Sequence, residues 1–119
     1  MSVPKPQKYL SKEGKEYYHA ICSHLKDVDA LMEVDSYGLS MMAHWLWLNE
    51  RASQAVKKNG GVQVYATGAE GVSAHLTVMK TAIGVWKELA PKFGLSVKDR
   101  ELIQKFKTKR EETDALDDL

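Results

Sequence analysis

Few side chains in this sequence are placed to carry out covalent chemistry. His19 and Cys22 lie three residues apart, so on a helix the imidazole and the thiol would be neighbours, and a Cys–His pair can act as a nucleophile. Backbone N–H groups inside a helix are already bonded to carbonyl oxygens, which leaves no oxyanion donor beside such a pair. We therefore interpret Cys22 as a packed side chain and expect no catalytic residue.

The sequence also lacks the patterns that bind metals or nucleotides. One cysteine and scattered histidines cannot supply the four ligands of a zinc site within the chain. The glycines between positions 60 and 71 follow a predicted helix, and no Lys-Ser or Lys-Thr closes the run as a phosphate-binding loop requires. We expect no metal, no cofactor and no enzyme activity. The histidines are His19, His24, His44 and His75.

Length and composition limit the remaining classes. At 119 residues the chain fits a single domain, 1–119, with a modest core. Its 17 basic and 16 acidic residues nearly cancel, so any contact with nucleic acid must come from local basic patches. No apolar run approaches the roughly 20 residues that a membrane span needs. A lone cysteine is typical of a reducing compartment such as the cytoplasm.

Apolar residues recur at steps of three and four through most of the chain, which predicts four helices. Ser11, Ser73 and Ser96 are suited to cap the first, third and fourth helices, and Asp29 the second. The second helix ends at Asn59-Gly60-Gly61, and Pro91 with Gly94 ends the third. The predicted helices span about 11–27, 30–58, 74–92 and 97–110.

Residues 62–72 break the helical period. The stretch Val62-Gln63-Val64-Tyr65 alternates apolar and polar side chains between glycines, which predicts a short β-hairpin or an ordered loop. The predicted fold class is therefore mainly all-α. It consists of a hairpin of two long helices, shorter helices at both ends, and this small insertion.

The second and third helices carry apolar side chains on more than one face. Residues 39–48 are apolar nearly all round, and a chain of this length can hardly cover both sides alone. We therefore predict a homo-oligomer whose interface lies on the helical hairpin. The residues assigned to this interface are Met41, Met42, Trp45, Leu46, Trp47, Met79, Ile83 and Trp86.

Basic residues cluster near both ends of the chain. Residues 1–8 hold two prolines and two lysines and are interpreted as a flexible arm, whereas 111–119 are acidic and are interpreted as a disordered tail. Clusters that are mostly lysine, with few aromatic residues between, are typical of phosphate contacts rather than base readout. The residues predicted to bind DNA are Lys5, Lys8, Lys12, Lys15, Lys98, Arg100, Lys105, Lys107, Lys109 and Arg110.

The order of these features resembles the small subunit of phage terminase, the DNA-packaging complex of tailed phages. The resemblance covers roughly residues 8–104 and is carried by an ordered set of positions rather than by one specific motif. In chain order, these positions are Leu10-Ser11-Lys12-Glu13-Gly14, Tyr17 or Tyr18, Leu25, Leu31, Asp35, the stretch 39–47, Ala52, Gly60-Gly61, and Phe93-Gly94-Leu95-Ser96 followed by Arg100.

The resemblance implies a non-catalytic subunit that acts in the host cytoplasm. Small terminase subunits assemble into rings, recognise the packaging-start region of the double-stranded genome, and recruit and regulate the large ATPase-nuclease subunit. On that basis we expect the helical hairpin to make the subunit contacts and the basic residues to contact DNA phosphates. The acidic tail would contact the large subunit or shield the basic fourth helix.

Two other functions fit parts of the pattern. A structural ring protein, such as a head–tail connector, would share the helices and the oligomer but not the specific DNA binding. A small helical DNA-binding regulator would act as a dimer on a short palindrome, but the sequence has no clear short turn between two short helices.

Overall fold

Four helices dominate the computed structural model, which describes residues 3–25, 28–59, 62–64, 70–72 and 74–104. α2 packs against both α1 and α3, so the predicted all-α fold with a hairpin of two long helices is confirmed. The helices are α1 (Lys12–Ser23), α2 (Asp35–Asn59), α3 (Ala74–Leu89) and α4, which is helical over 97–104.

Two short strands lie between α2 and α3. β1 (Val62–Val64) pairs antiparallel with β2 (Glu70–Val72), and Gln63 is opposite Gly71 in the register. Both fall within the segment 62–72 for which the sequence predicts a hairpin or an ordered loop.

Two of the predicted serine caps are formed, and the third, Ser73, lies outside the described residues. The Ser11 hydroxyl accepts a hydrogen bond from the Gly14 N–H at 3.0 Å and so satisfies a free donor in the first turn of α1. Ser96 and Asp99 bond reciprocally at the start of α4: the Ser96 N–H donates to Asp99 Oδ2 at 2.7 Å, and the Asp99 N–H donates to Ser96 Oγ at 3.3 Å.

The start of α2 differs from the prediction. Asp29 does not cap a helix, because it lies inside a single 3₁₀ turn, Val28–Ala30. The carboxylate of Asp35 instead accepts a hydrogen bond from the Met32 N–H at 2.8 Å, which fixes a turn immediately before the helix. α2 therefore begins five residues later than the predicted position 30.

Helix ends also come earlier than predicted. α1 ends at Ser23, where the His24 N–H donates to the Ile21 carbonyl at 3.0 Å and the Leu25 N–H to the Cys22 carbonyl at 3.2 Å. α3 ends at Leu89 and continues as a 3₁₀ turn, Ala90–Phe93, that contains the helix-breaking Pro91. Gly94 stops this turn with a left-handed φ of 72°, a conformation that favours glycine.

The core draws side chains from all four helices. Tyr18 and Ile21 of α1, Leu39 of α2, Trp86 of α3 and Ile103 of α4 are each at most 2% exposed and belong to one cluster. The Trp86 indole N–H also donates to the Ser96 carbonyl at 2.8 Å, so this one side chain joins α3 to the start of α4. None of the helices in the described ranges is both long and apolar enough to cross a bilayer.

Replacing Trp86 by phenylalanine tests this connection. The variant loses the hydrogen bond to Ser96 and leaves a small void, so we expect the free energy of unfolding to fall by about 1–3 kcal/mol. Urea unfolding followed by circular dichroism measures the change. The exposed neighbour Lys87 provides the control, since Lys87→Ala should change stability by less than about 0.5 kcal/mol. Equal stability of the two variants would contradict the role given to Trp86.

Candidate functional site

The one cysteine is a core residue. Cys22 is 7% exposed and packs in the cluster between α1 and α2, and burial raises the pKa of its thiol to about 11. His19 lies on the exposed side of α1, with its ring edge-on to Tyr18 at 5.7 Å. The interpretation of Cys22 as a packed side chain is thus confirmed. In the described ranges, no three His, Cys, Asp or Glu side chains group to hold a metal ion.

The N-terminal segment is docked on the helices over its described part. We call residues 3–9 the strap. Val3 packs against the core, the Tyr18 hydroxyl donates to the Pro4 carbonyl at 2.5 Å, and Leu10, just beyond the strap, is buried. The sequence predicts a flexible arm over 1–8; within it, Pro4, Lys5 and Gln7 make hydrogen bonds whose partners lie on α1 and α2.

Three of these hydrogen bonds are made with two serines of α2. The Ser36 hydroxyl donates to the Lys5 carbonyl at 2.5 Å and lies 3.1 Å from Nε2 of Gln7, which donates to it. The Ser40 hydroxyl accepts from the Gln7 backbone N–H at 3.0 Å. Ser36 is 3% exposed and Ser40 is fully buried, so the strap satisfies polar groups that would otherwise lie unpaired against the core.

The strap follows α2 in register. Lys5 and Gln7 pair with Ser36 and Ser40, and the ring of Tyr9 meets the ring of His44 edge-on at 5.7 Å. After Gln7 the chain turns, closed by the Leu10 N–H donating to the Gln7 carbonyl at 3.2 Å, and then enters α1.

The lysines predicted to bind DNA are exposed wherever the structure describes them. Lys5 and Lys8 lie on the strap, and Lys12 and Lys15 on the first turns of α1. Lys12 and Lys15 lie near the N-terminus of α1, where the helix dipole is positive, beside the exposed carboxylates of Glu13 and Glu16. We call these four lysines the basic N-terminal surface.

Of the remaining predicted DNA contacts, the structure describes only two. Lys98 is exposed and Arg100 is half-buried, and both lie in the first turn of α4. The acidic tail 111–119 lies outside the described residues, and so do four of the predicted contacts. These are Lys105, Lys107, Lys109 and Arg110.

The residues predicted to form an oligomer interface divide into two groups. Met42, Leu46 and Trp86 are at most 2% exposed and belong to the subunit's own core. They offer no surface to a second copy, because α1, α2 and α3 already enclose them. Met41 is 43% exposed. The half-buried members are Trp45, Trp47, Met79 and Ile83.

An uncharged apolar face of α2 remains uncovered. Val34, in the turn just before α2, is 64% exposed, Tyr37 63% and Met41 43%, and they are followed at helical spacing by the half-buried Trp45 and Leu48. We call these five residues the outer face of α2. The prediction missed Tyr37. A signal for it was present, because residues 36–49 contain no Asp, Glu, Lys or Arg anywhere around the helix.

Aromatic rings extend the outer face along one side. His44 lies 6.1 Å from Trp45 and 6.0 Å from Trp47, and the Arg51 guanidinium is 5.2 Å above the Trp47 ring. Nδ1 of His44 is buried without a hydrogen-bond partner, so this ring packs mainly through its faces and edges. Aromatic residues, methionine and arginine are the side chains enriched at the centres of protein interfaces.

A groove joins the strap to the outer face. It has a volume of about 700 Å³ and lies between the strap and the start of α2. Its walls are apolar at Pro4, Leu31 and Tyr37 and carry one charge of each sign, Lys5 and Glu33. The basic N-terminal surface and the outer face are therefore adjacent surfaces on the subunit.

Comparison with known proteins identifies one family. The family described as phage terminase, small subunit, has a sequence model that matches residues 14–110, which is most of the chain. No curated protein matches, and no solved structure matches. The matched segment includes the whole outer face of α2 and begins after the strap and Lys12.

The buried thiol makes a prediction about alkaline pH. The folded state holds the Cys22 proton up to about pH 11, whereas the unfolded chain releases it near the ordinary thiol value of 9.0. The unfolded state is therefore favoured as pH rises from 9 to 11, and this group should cost about 2 kcal/mol of stability over that range. Urea unfolding of wild type and Cys22→Ala at several pH values measures the difference. If both proteins lose stability equally, the thiol is not the cause.

Proposed function

The chain belongs to the small-subunit family of phage terminases, and from this premise we propose that it is the DNA-recognition and assembly component of a packaging complex in the host cytoplasm. It assembles into a homo-oligomeric ring, binds the packaging-start region of double-stranded phage DNA, and recruits and regulates the large ATPase-nuclease subunit. The observation that carries this proposal is the pairing, on one small subunit, of an uncovered apolar helix face with a separate basic surface.

The basic N-terminal surface supplies the proposed DNA contact. Its four side chains are lysines, which bind phosphates as point charges. One subunit with four such contacts binds weakly, but repetition around a ring adds the fields of the copies. Lys98, Arg100 and the basic residues of 105–110 are proposed as a second group of contacts near the start and continuation of α4.

The outer face of α2 supplies the proposed subunit contact. Together with Met32 and Tyr9, which are 67% and 56% exposed, its side chains offer on the order of 600 Å² of accessible surface. A standard interface buries about 800 Å² per partner, so this surface supplies most of what a stable contact needs. The absence of charge from 36 to 49 favours a protein partner over DNA, and a second copy offers the matching apolar face.

Assembly gives the first functional prediction. Changing Tyr37 and Met41 to glutamate places two charges on the outer face, so we expect a discrete oligomer of the wild type to become a monomer. Light scattering on a sizing column measures the mass. Because both side chains are exposed, circular dichroism should show an unchanged fold. Leu102→Glu, at an exposed apolar position of α4, is the control and should keep the oligomer. An unchanged mass in the double variant would contradict this interface.

DNA binding gives the second functional prediction. Replacing Lys5, Lys8, Lys12 and Lys15 by glutamine should weaken binding and reduce the slope of log K against log salt by about 0.9 for each phosphate that is no longer neutralised. Fluorescence anisotropy with a packaging-start DNA duplex, at several salt concentrations, measures both. The matched control changes the same charge elsewhere and should keep most of the slope. Its substitutions are Lys57→Gln, Lys58→Gln, Lys80→Gln and Lys87→Gln.

Each outcome bears on the assignment. If the control set lowers the slope as much as the N-terminal set, the binding depends on overall charge and not on this surface. If neither set changes the slope, the basic N-terminal surface does not bind DNA. A parallel variant that neutralises Lys105, Lys107, Lys109 and Arg110 measures the contribution of the second group.

A further inference from the structure

The packing of α2 does not require the hydroxyl groups of Ser36 and Ser40. Both are on the buried side of the helix, where alanine or a larger apolar residue would pack without any polar group to satisfy. Their hydroxyls make three hydrogen bonds to the strap, at Lys5 and Gln7. Two of these bonds engage strap backbone atoms, the Lys5 carbonyl and the Gln7 N–H. They fix the course of the chain and leave the lysine side chains exposed.

The strap is also secured on the N-terminal side of its contacts with these serines. Val3 packs on the core before them, and the Pro4 carbonyl accepts from the buried Tyr18 hydroxyl. Pro4 and Pro6 have no N–H, so the docked strap has fewer backbone donors to satisfy, and their rings restrict the undocked chain. The strap is therefore built to be held in one conformation, although its composition alone is typical of a mobile arm.

We infer that Ser36 and Ser40 are positioning residues for phosphate contact by Lys5 and Lys8. This inference rests on the proposed DNA-binding function and adds to it residues that do not touch DNA. A lysine on a mobile arm loses backbone freedom when it binds, and this loss of entropy opposes binding. Docking on the two serines orders the strap during folding, so that this loss is not repeated when DNA binds.

Positioning and charge have different signatures in a salt titration. The slope of log K against log salt counts the counterions that the lysines displace. Removing a lysine removes that displacement and makes the slope shallower. Removing a serine leaves every lysine present, so the slope stays the same while the affinity falls at each salt concentration.

The test uses the full chain with Ser36→Ala and Ser40→Ala combined. We expect binding to a packaging-start duplex to weaken about 5- to 10-fold with an unchanged salt slope. We also expect faster trypsin cleavage after Lys8, because a released strap reaches the protease more easily; the bond after Lys5 precedes Pro6 and resists trypsin. Ser53→Ala, on the same helix, is the matched control and should change neither readout.

The outcomes separate this inference from the proposed function. If the Lys5→Gln and Lys8→Gln variant binds less tightly with a shallower slope, and the serine variant cleaves faster yet binds like wild type, only the positioning role is wrong. If the lysine variant binds like wild type, both the DNA contact proposed for the strap and the positioning role are wrong.

A second variant keeps the test informative if the serine variant does not fold. Gln7→Ala leaves α2 intact and removes the side-chain hydrogen bond from the strap to Ser36. It should weaken DNA binding about 2- to 3-fold without changing the slope or the melting temperature. Wild-type affinity in this variant, together with faster cleavage after Lys8, would overturn the inference.

Discussion

The arrangement of the subunit depends on one constraint, which is that α2 contains a long stretch without a formal charge. Residues 36–49 present apolar or neutral side chains in every direction, so each side of the helix needs a cover that excludes water. α1 and α3 cover the side that carries Leu39, and the strap covers the two serines. The chain has no further element in its described ranges to cover Tyr37 and Met41, which remain exposed. The proposed assembly follows from this shortage of cover more than from any motif.

The same helix also connects the two proposed activities. Its outer face is offered to another copy, and the strap beside that face carries two of the lysines offered to DNA. The groove between them includes both Lys5 and Tyr37, so a partner seated on the outer face would lie close to the strap. Assembly and DNA contact are thus expected to influence each other through contacts at α2, without a conformational change elsewhere in the subunit.

Local features of the fold could be predicted from the sequence, and features that depend on distant residues could not. The caps at Ser11 and Ser96 and the stop at Gly94 each depend on a few neighbouring residues. The apolar stripes located the helical hairpin. Periodicity does not reveal whether a stripe is buried by the same chain or by another, which is why Met42, Leu46 and Trp86 were assigned to an interface and lie in the core. The strap was missed for a related reason, because its partners lie about thirty residues further along the chain.

That separation also sets an order of events during synthesis. The strap is synthesised first, but Ser40, whose hydroxyl accepts from the Gln7 N–H, is added 33 residues later. At about 5–20 residues per second, the strap stays undocked for about 2–7 s while α1 and the first turns of α2 are made. α1 can form early from local contacts, whereas the N-terminus is incorporated late. The first residues to be synthesised are therefore among the last to reach their native positions.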